Sequence, residues 1–208
     1  MKNVRKSPYS LKWYLIVGVF YLCLGVFILW RNYYFSVSDY SIFWLCDFAP
    51  FILAIGFLFR HDDFVKGMIN IGFFPQILFL FGAFMMFFFG VDVFGVGLSL
   101  EHLSFWFILT SIVLHLSLIA AYFLNYEVKP TYKSLIYSLL LLFVMYFIAI
   151  SHTPIEENVN YVFILDNLGI MGFTYMYIPF VFLVIVFPTF VFQILMQKLW
   201  FLNHRNKE

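Results

Sequence analysis

The sequence predicts an all-α fold, a polytopic membrane protein built as one bundle of six transmembrane helices with both termini in the cytoplasm. Three observations lead there: long uninterrupted apolar runs, too little charge for a surface facing water, and basic residues confined to alternate connections. Hydrophobic residues are 64% of the 208 and charged residues 11%, where a soluble domain carries roughly 25% charge. Mean hydropathy is +0.94. Lipid is therefore the expected main solvent, and the 31 phenylalanines suit a lipid-facing exterior.

A helix needs about 20 apolar residues to cross a hydrocarbon core of roughly 30 Å. Six runs meet that requirement, at about 12–30, 40–59, 67–89, 103–124, 133–150 and 176–200. Backbone groups in lipid must be satisfied within their own segment, so continuous apolar runs are helices. A barrel would alternate polar and apolar residues over ten-residue stretches, which these runs do not. The first run follows Lys2, Arg5 and Lys6, as a signal peptide would. It exceeds the 7–15 residues of a signal core and ends at Trp30-Arg31 without a small-residue cleavage site, so it reads as a retained helix.

Orientation follows from the positive-inside rule. Lys2, Arg5, Lys6 and Lys12 precede the first span; Arg60 and Lys66 fall in the second loop; Lys129 and Lys133 fall in the fourth; Lys198, Arg205 and Lys207 close the chain. The opposite side holds Arg31 as its single basic residue. Trp13, Trp30, Trp44 and Trp200 lie near span ends, as an interfacial aromatic belt requires. The longest loop, 151–175, carries Glu156, Glu157 and Asp166 with no Lys or Arg. Its YVFIL centre is too short to span, so it is expected on the outer interface or over a site. Residues 1–208 form one domain, with no internal repeat.

Net charge of +1 without a basic patch gives no footprint for nucleic acid. Two cysteines, Cys23 and Cys46, both in apolar runs, indicate neither a disulfide framework nor a zinc site. Nothing in the chain asks for a cofactor or a resident metal. His61-Asp62-Asp63 reads as a solvated cytoplasmic turn, and His102 and His152 as exposed outer residues.

Polar groups inside a bilayer are costly and so draw attention, about 2.5–3.5 kcal/mol for Asp at a helix centre. The second span contains WLCDFAP, with Cys46, Asp47 and Pro50; the fourth contains His115, near Thr110, Ser111 and Ser117. The third holds Pro75-Gln76 and the sixth Pro188 and Gln193. With a rise of 1.5 Å per residue, Cys46 lies roughly 9 Å and His115 roughly 18 Å below the outer surface. Pro50 removes the hydrogen bond to the Cys46 carbonyl and kinks the helix at the cysteine. A neutral imidazole in reach of a thiol can take its proton and return it to a leaving group. Asp47 is placed to orient the imidazole or to hold the ion pair. The product is an acyl-cysteine, suited to moving a fatty acyl chain between lipids. A buried Cys is ordinarily a small hydrophobe, and an intramembrane His ordinarily a helix–helix bridge.

The stretch WLCDFAPFILAIGFLFR resembles the YwaF and transmembrane protein 164 family of polytopic membrane proteins. Cys46-Asp47 matches the family's second-helix Cys; SIVLHLSLIA matches its fourth-helix His, with His115 in that place; NVNYVFIL matches its Asn-Tyr pair, at Asn160 and Tyr161. The match covers about residues 35–200. Two departures bear on the outer mouth: SIFW stands where the family often has Pro-Leu-His, and GIMGFTYMYIP where it often has Gly-Pro-Trp-Pro. The resemblance implies a phospholipid acyltransferase of the bacterial plasma membrane, with Cys46 as nucleophile, His115 as its partner, Asp47, Asn160 and Tyr161 in support, and membrane lipids as substrates. The alternatives are a small transporter or substrate-binding membrane subunit, and a non-catalytic scaffold with Cys46 and His115 far apart.

Overall fold

The computed structural model describes residues 9–35, 44–91, 105–155, 164–165, 170–171 and 175–205. Over these the chain is helical: α1 Leu11–Tyr34, α2 Leu45–Leu58, α3 Asp62–Phe89, α4 Phe105–Leu124, α5 Tyr132–His152, α6 Tyr177–Val181 and α7 Phe187–Arg205. A π-helical turn, Phe182–Val186, joins α6 to α7. The amide of Phe187 reaches back five residues to the Phe182 carbonyl. Pro188 follows directly and has no amide to continue an i→i−4 ladder, and such ladder breaks are where π turns occur. A two-residue antiparallel pair, β1 Ile164–Leu165 with β2 Ile170–Met171, lies within the 151–175 loop.

Local sequence sets the ends. Ser10 Oγ caps α1 by accepting from the Trp13 amide, and Thr131 caps α5 by accepting from Lys133. His61 Nδ1 caps α3 by accepting from the Phe64 amide. Gly90, at φ 66°, ends α3 in the left-handed conformation that glycine adopts without strain. The α2–α3 connection is tight, with Arg60 at φ 55°.

Among the described residues, five helices are long and apolar enough to cross a membrane: Leu11–Tyr34, Asp62–Phe89, Phe105–Leu124, Tyr132–His152 and the continuous Tyr177–Leu199. The second expected span differs. Trp44 is extended and α2 runs only 14 residues, which is about 21 Å against a core of roughly 30 Å. Cys46 and Asp47 therefore lie in its first turn. The third expected span begins earlier than its apolar run. Asp62, Asp63 and Lys66 belong to α3, and Lys66, expected in a loop, is 1% exposed. The extension follows from the His61 cap and from acidic residues in the first turn, which favour a helix N-terminus.

Consecutive helices run in alternate directions. Asp63 accepts from Thr131 across α3 and α5 (2.7 Å), Tyr14 donates to Asp62 across α1 and α3, and Gln197 reaches the Tyr126 and Glu127 carbonyls. One end of the bundle thus gathers the starts of α1, α3 and α5 with the finishes of α2, α4 and α7. Helix α3 is central, packing on α2, α4, α5 and α7. It approaches α5 at Gly67, where an added Cβ would fall 2.8 Å from Tyr137 Cβ and 3.1 Å from the Ser138 amide nitrogen. Ser138 Oγ donates to the Gly67 carbonyl there (3.1 Å).

The bundle's surface is apolar and its interior partly polar, the reverse of a protein in water. Phe87, Phe88 and Phe89 are more than 60% exposed, as are Phe105, Trp106 and Phe123, while Arg31, Asp47, Lys66, Asn70 and Gln193 are buried. An apolar exterior on this scale is unusual for soluble monomers.

Replacing Gly67 with Val is expected to push α3 off α5 backbone, at about 1–3 kcal/mol for overpacking. Thermal unfolding in detergent should show a lowered Tm. Gly72→Ala is the control, since its added Cβ meets nothing nearer than Met68 Cε at 3.5 Å; that variant should keep the wild-type Tm.

Candidate functional site

The polar residues of α1, α2 and α4 converge at the end of the bundle opposite the α2–α3 turn. Arg31, in the last turn of α1, and Asp47, in the first turn of α2, form an ion pair with 3.3 Å between Nη2 and Oδ1. They are 3% and 4% exposed. Asn32 closes the arrangement. Its Oδ1 accepts from Arg31 Nε and Nη2 (2.9 and 2.6 Å), and its Nδ2 donates to Asp47 Oδ2 (2.6 Å). Arg31 Nη1 donates to Ser111 Oγ on α4 (3.1 Å), and the guanidinium lies over the Phe107 ring at 4.8 Å. Both carboxylate oxygens and three guanidinium nitrogens are engaged, as burial of two opposite charges demands.

Cys46 is a free, half-buried cysteine, adjacent to Asp47 in the first turn of α2. His115 lies near the middle of α4, buried, with its ring stacked on Phe79 at 3.6 Å and 6°. Its Nδ1 is 2.7 Å from the Ser111 carbonyl oxygen. A carbonyl only accepts, so the proton sits on Nδ1, and the neutral imidazole presents Nε2 as its basic nitrogen. Ser111 is thus shared, its hydroxyl on Arg31 and its carbonyl on His115. Among the described residues no hydrogen bond joins Cys46 to His115. They are linked in sequence through Asp47, Arg31 and Ser111. Tyr21 ties α1 to α4 deeper in the bundle by donating to the Ser117 carbonyl (2.6 Å).

Asn160 and Tyr161 lie outside the described residues, as does His102. His152 is exposed at the end of α5, where Ser151 Oγ is 2.6 Å from its Nδ1. His61 caps α3 and pairs through Nε2 with the Tyr137 hydroxyl (3.1 Å). Cys23 is free and exposed on α1. Among the described residues, no three His, Cys, Asp or Glu side chains are grouped to hold a metal. A cavity between α2, α3 and α4, lined by Ala49, Leu53, Phe73 and Leu118, measures about 10 Å³, room for about one water and none for an acyl chain.

Sequence reasoning missed Arg31, Asn32 and Ser111. The available signal was Arg31 itself, the one basic residue that broke the charge alternation. Together, fold and site define a helical integral membrane protein with a buried ion pair at one end of its bundle. Compared with family models, curated proteins and solved structures, the chain matches none.

Asp47→Ala is expected to strand the Arg31 guanidinium in a buried site, destabilising the fold by about 3–5 kcal/mol. The double change Arg31→Met with Asp47→Leu should recover most of that loss. A double-mutant cycle over Arg31→Met and Asp47→Leu in detergent measures the coupling, and a double variant whose loss equals the sum of the two single losses would show that the pair contributes none.

Proposed function

We propose that this chain is an intramembrane acyltransferase-like enzyme, spanning the bilayer six times with both termini cytoplasmic, in a bacterial plasma membrane. Its substrates are membrane lipids. The observation that carries the reading is the Arg31–Asp47 ion pair with Cys46 next to Asp47 in the first turn of α2. Ionisable groups inside a membrane mark functional sites by default, and this one adjoins a nucleophile. The short motifs shared with the YwaF and transmembrane protein 164 family at Cys46 and His115 support the same chemistry.

In this mechanism the Cys46 sulfur attacks the carbonyl carbon of a lipid ester. The thiol proton passes to a base and then to the departing alkoxide, leaving a thioester on Cys46. A hydroxyl of a second lipid attacks that thioester, and its proton returns to sulfur. Asp47, the neighbouring residue in the same turn of α2, is the nearest basic group to the thiol. His115 Nε2 is the second base, brought to the reacting atoms by movement of α2 against α4. Arg31 donates to the oxyanion of the tetrahedral intermediate, a type of contact whose removal costs about 10²–10³ in rate. The cavity between α2, α3 and α4 is too small for an acyl chain, so lipid enters from the bilayer at the outer end of α2.

Cys46→Ala should abolish a hydroxylamine-sensitive acyl label on the protein while leaving membrane insertion intact. His115→Gln should slow transfer by about 10²–10⁴, the usual contribution of general base catalysis. Labelling with a radioactive acyl donor followed by neutral hydroxylamine measures the first, and single-turnover transfer the second. A label that persists without Cys46 would sink the nucleophile assignment.

The alternative is a small transporter. One observation favours it: a buried hydrogen-bonded row across three helices, in which Gln193 Nε2 donates to Asn70 Oδ1 (2.6 Å) and Asn70 Nδ2 to Ser138 Oγ (3.1 Å). Solute uptake into vesicles, lost in Asn70→Leu and kept in Cys46→Ala, would select this reading over acyl transfer.

A further inference from the structure

The end of the bundle away from the ion pair holds a second polar group of residues, whose bonding is incomplete. Lys66 lies one turn into α3 and is 1% exposed. Among the described residues its ammonium has no hydrogen bond and no carboxylate within ion-pair distance; its contact is the face of the Tyr122 ring, 5.7 Å from the centroid. The neighbouring carboxylates are engaged elsewhere. Asp62 accepts from Tyr14, and Asp63 accepts from Thr131 at 2.7 Å.

The facing end of α4 is short of partners too. Tyr122 Oη is buried with none, and so are both amide atoms of Asn125, a residue with 0% exposure. Tyr122 and Asn125 are three residues apart, so they share one side of the helix end. Rings of Phe73, Tyr122 and Phe192, with centroids 4.9–5.9 Å apart, hold α3, α4 and α7 around this point. A buried amide without partners costs stability, and so does a charge on a side chain this buried that no carboxylate reaches at ion-pair distance. What the group lacks is an acceptor carrying negative charge and offering several oxygens.

We propose that Lys66, with Tyr122 and Asn125, forms a binding site for a phosphate group of net negative charge, carried by an anionic lipid head or by a free phosphate monoester. Lys66 supplies the charge and up to three donors, Tyr122 and the Asn125 amide nitrogen supply further donors, and Asn125 Oδ1 accepts from Lys66 or a ligand hydroxyl. The position suits a head group. Lys66 is the fifth residue of α3, about 6 Å along the axis from the α2–α3 turn, close to that end of the bundle. The site rests on membrane insertion and not on acyl transfer, so failure of one leaves the other standing.

The test uses the full chain in nanodiscs of phosphatidylcholine alone, or of phosphatidylcholine mixed with phosphatidylglycerol, with lipid retention read by native mass spectrometry. A second arm adds inorganic phosphate or glycerol 3-phosphate to the phosphatidylcholine nanodiscs and reads the Tm. Retention of phosphatidylglycerol over phosphatidylcholine by about tenfold is expected, the size of one hydrogen bond to a charged group. Lys66→Met should abolish the preference, and Asn125→Leu should weaken it. A Lys66-dependent rise in Tm with the soluble phosphates alone also supports the site and identifies its ligand as free. Equal retention of the two lipids with no response to either phosphate overturns the proposal, as does a preference that survives both substitutions. Should Lys66→Met fail to fold, Asn125→Leu and Lys66→Gln carry the same comparison.

Discussion

Where water is scarce, a charge must meet its opposite or the chain does not hold. Arg31 and Asp47 satisfy that constraint 16 residues apart, on different helices. Everything at that end of the molecule is arranged around their meeting. The last turn of α1 must reach the first turn of α2, Asn32 must fold back to bridge both partners, and Ser111 must bring α4 alongside. An isolated ion in a medium of low dielectric is worth several kcal/mol of destabilisation. That penalty fixes the register of three helices more firmly than interdigitating aliphatic side chains can in lipid, where apolar contacts compete with equally apolar tails.

The rest of the bundle uses two other devices. Small residues let backbones come close, as at Gly67 against Tyr137 and Ser138. Buried amides and hydroxyls then tie the approached helices, as Ser138, Asn70 and Gln193 tie α5, α3 and α7. Aromatic side chains fill what remains, with Tyr21 and Phe57 stacked at 5.7 Å and 4° between α1 and α2. Each device is local to a pair of helices. The central position of α3 turns these pairwise contacts into one body.

Much of this architecture was legible in the residues. Hydropathy located every described helix, because a run of apolar residues in lipid has one way to satisfy its backbone. The alternation of basic connections matched the alternation of helix direction. The beginning of α2 was not legible. The apolar letters run on through Trp44, and hydropathy does not register that Trp44 is extended and that the helix starts at Leu45. Lys66 was misplaced for the opposite reason: a charge signals a loop in such counts, yet the His61 cap draws the helix back past it. The candidate site was legible in part. Cys46, Asp47 and His115 stood out as polar groups within spans, but their connection runs through Arg31 and Ser111, and no periodicity announces a partner on another helix.

The shortness of α2 has a consequence for the surrounding solvent. A helix of 14 residues beside neighbours of 20 or more is by itself several ångströms short of the apolar layer those neighbours match. A bilayer closes such a mismatch by thinning beside the short element, letting water and glycerol backbones dip toward it. The dip would fall on the first turn of α2, where the thiol and the carboxylate are. Ester carbonyls, which ordinarily ride above the hydrocarbon, would then descend to the sulfur's own level without any helix having to open a channel for them.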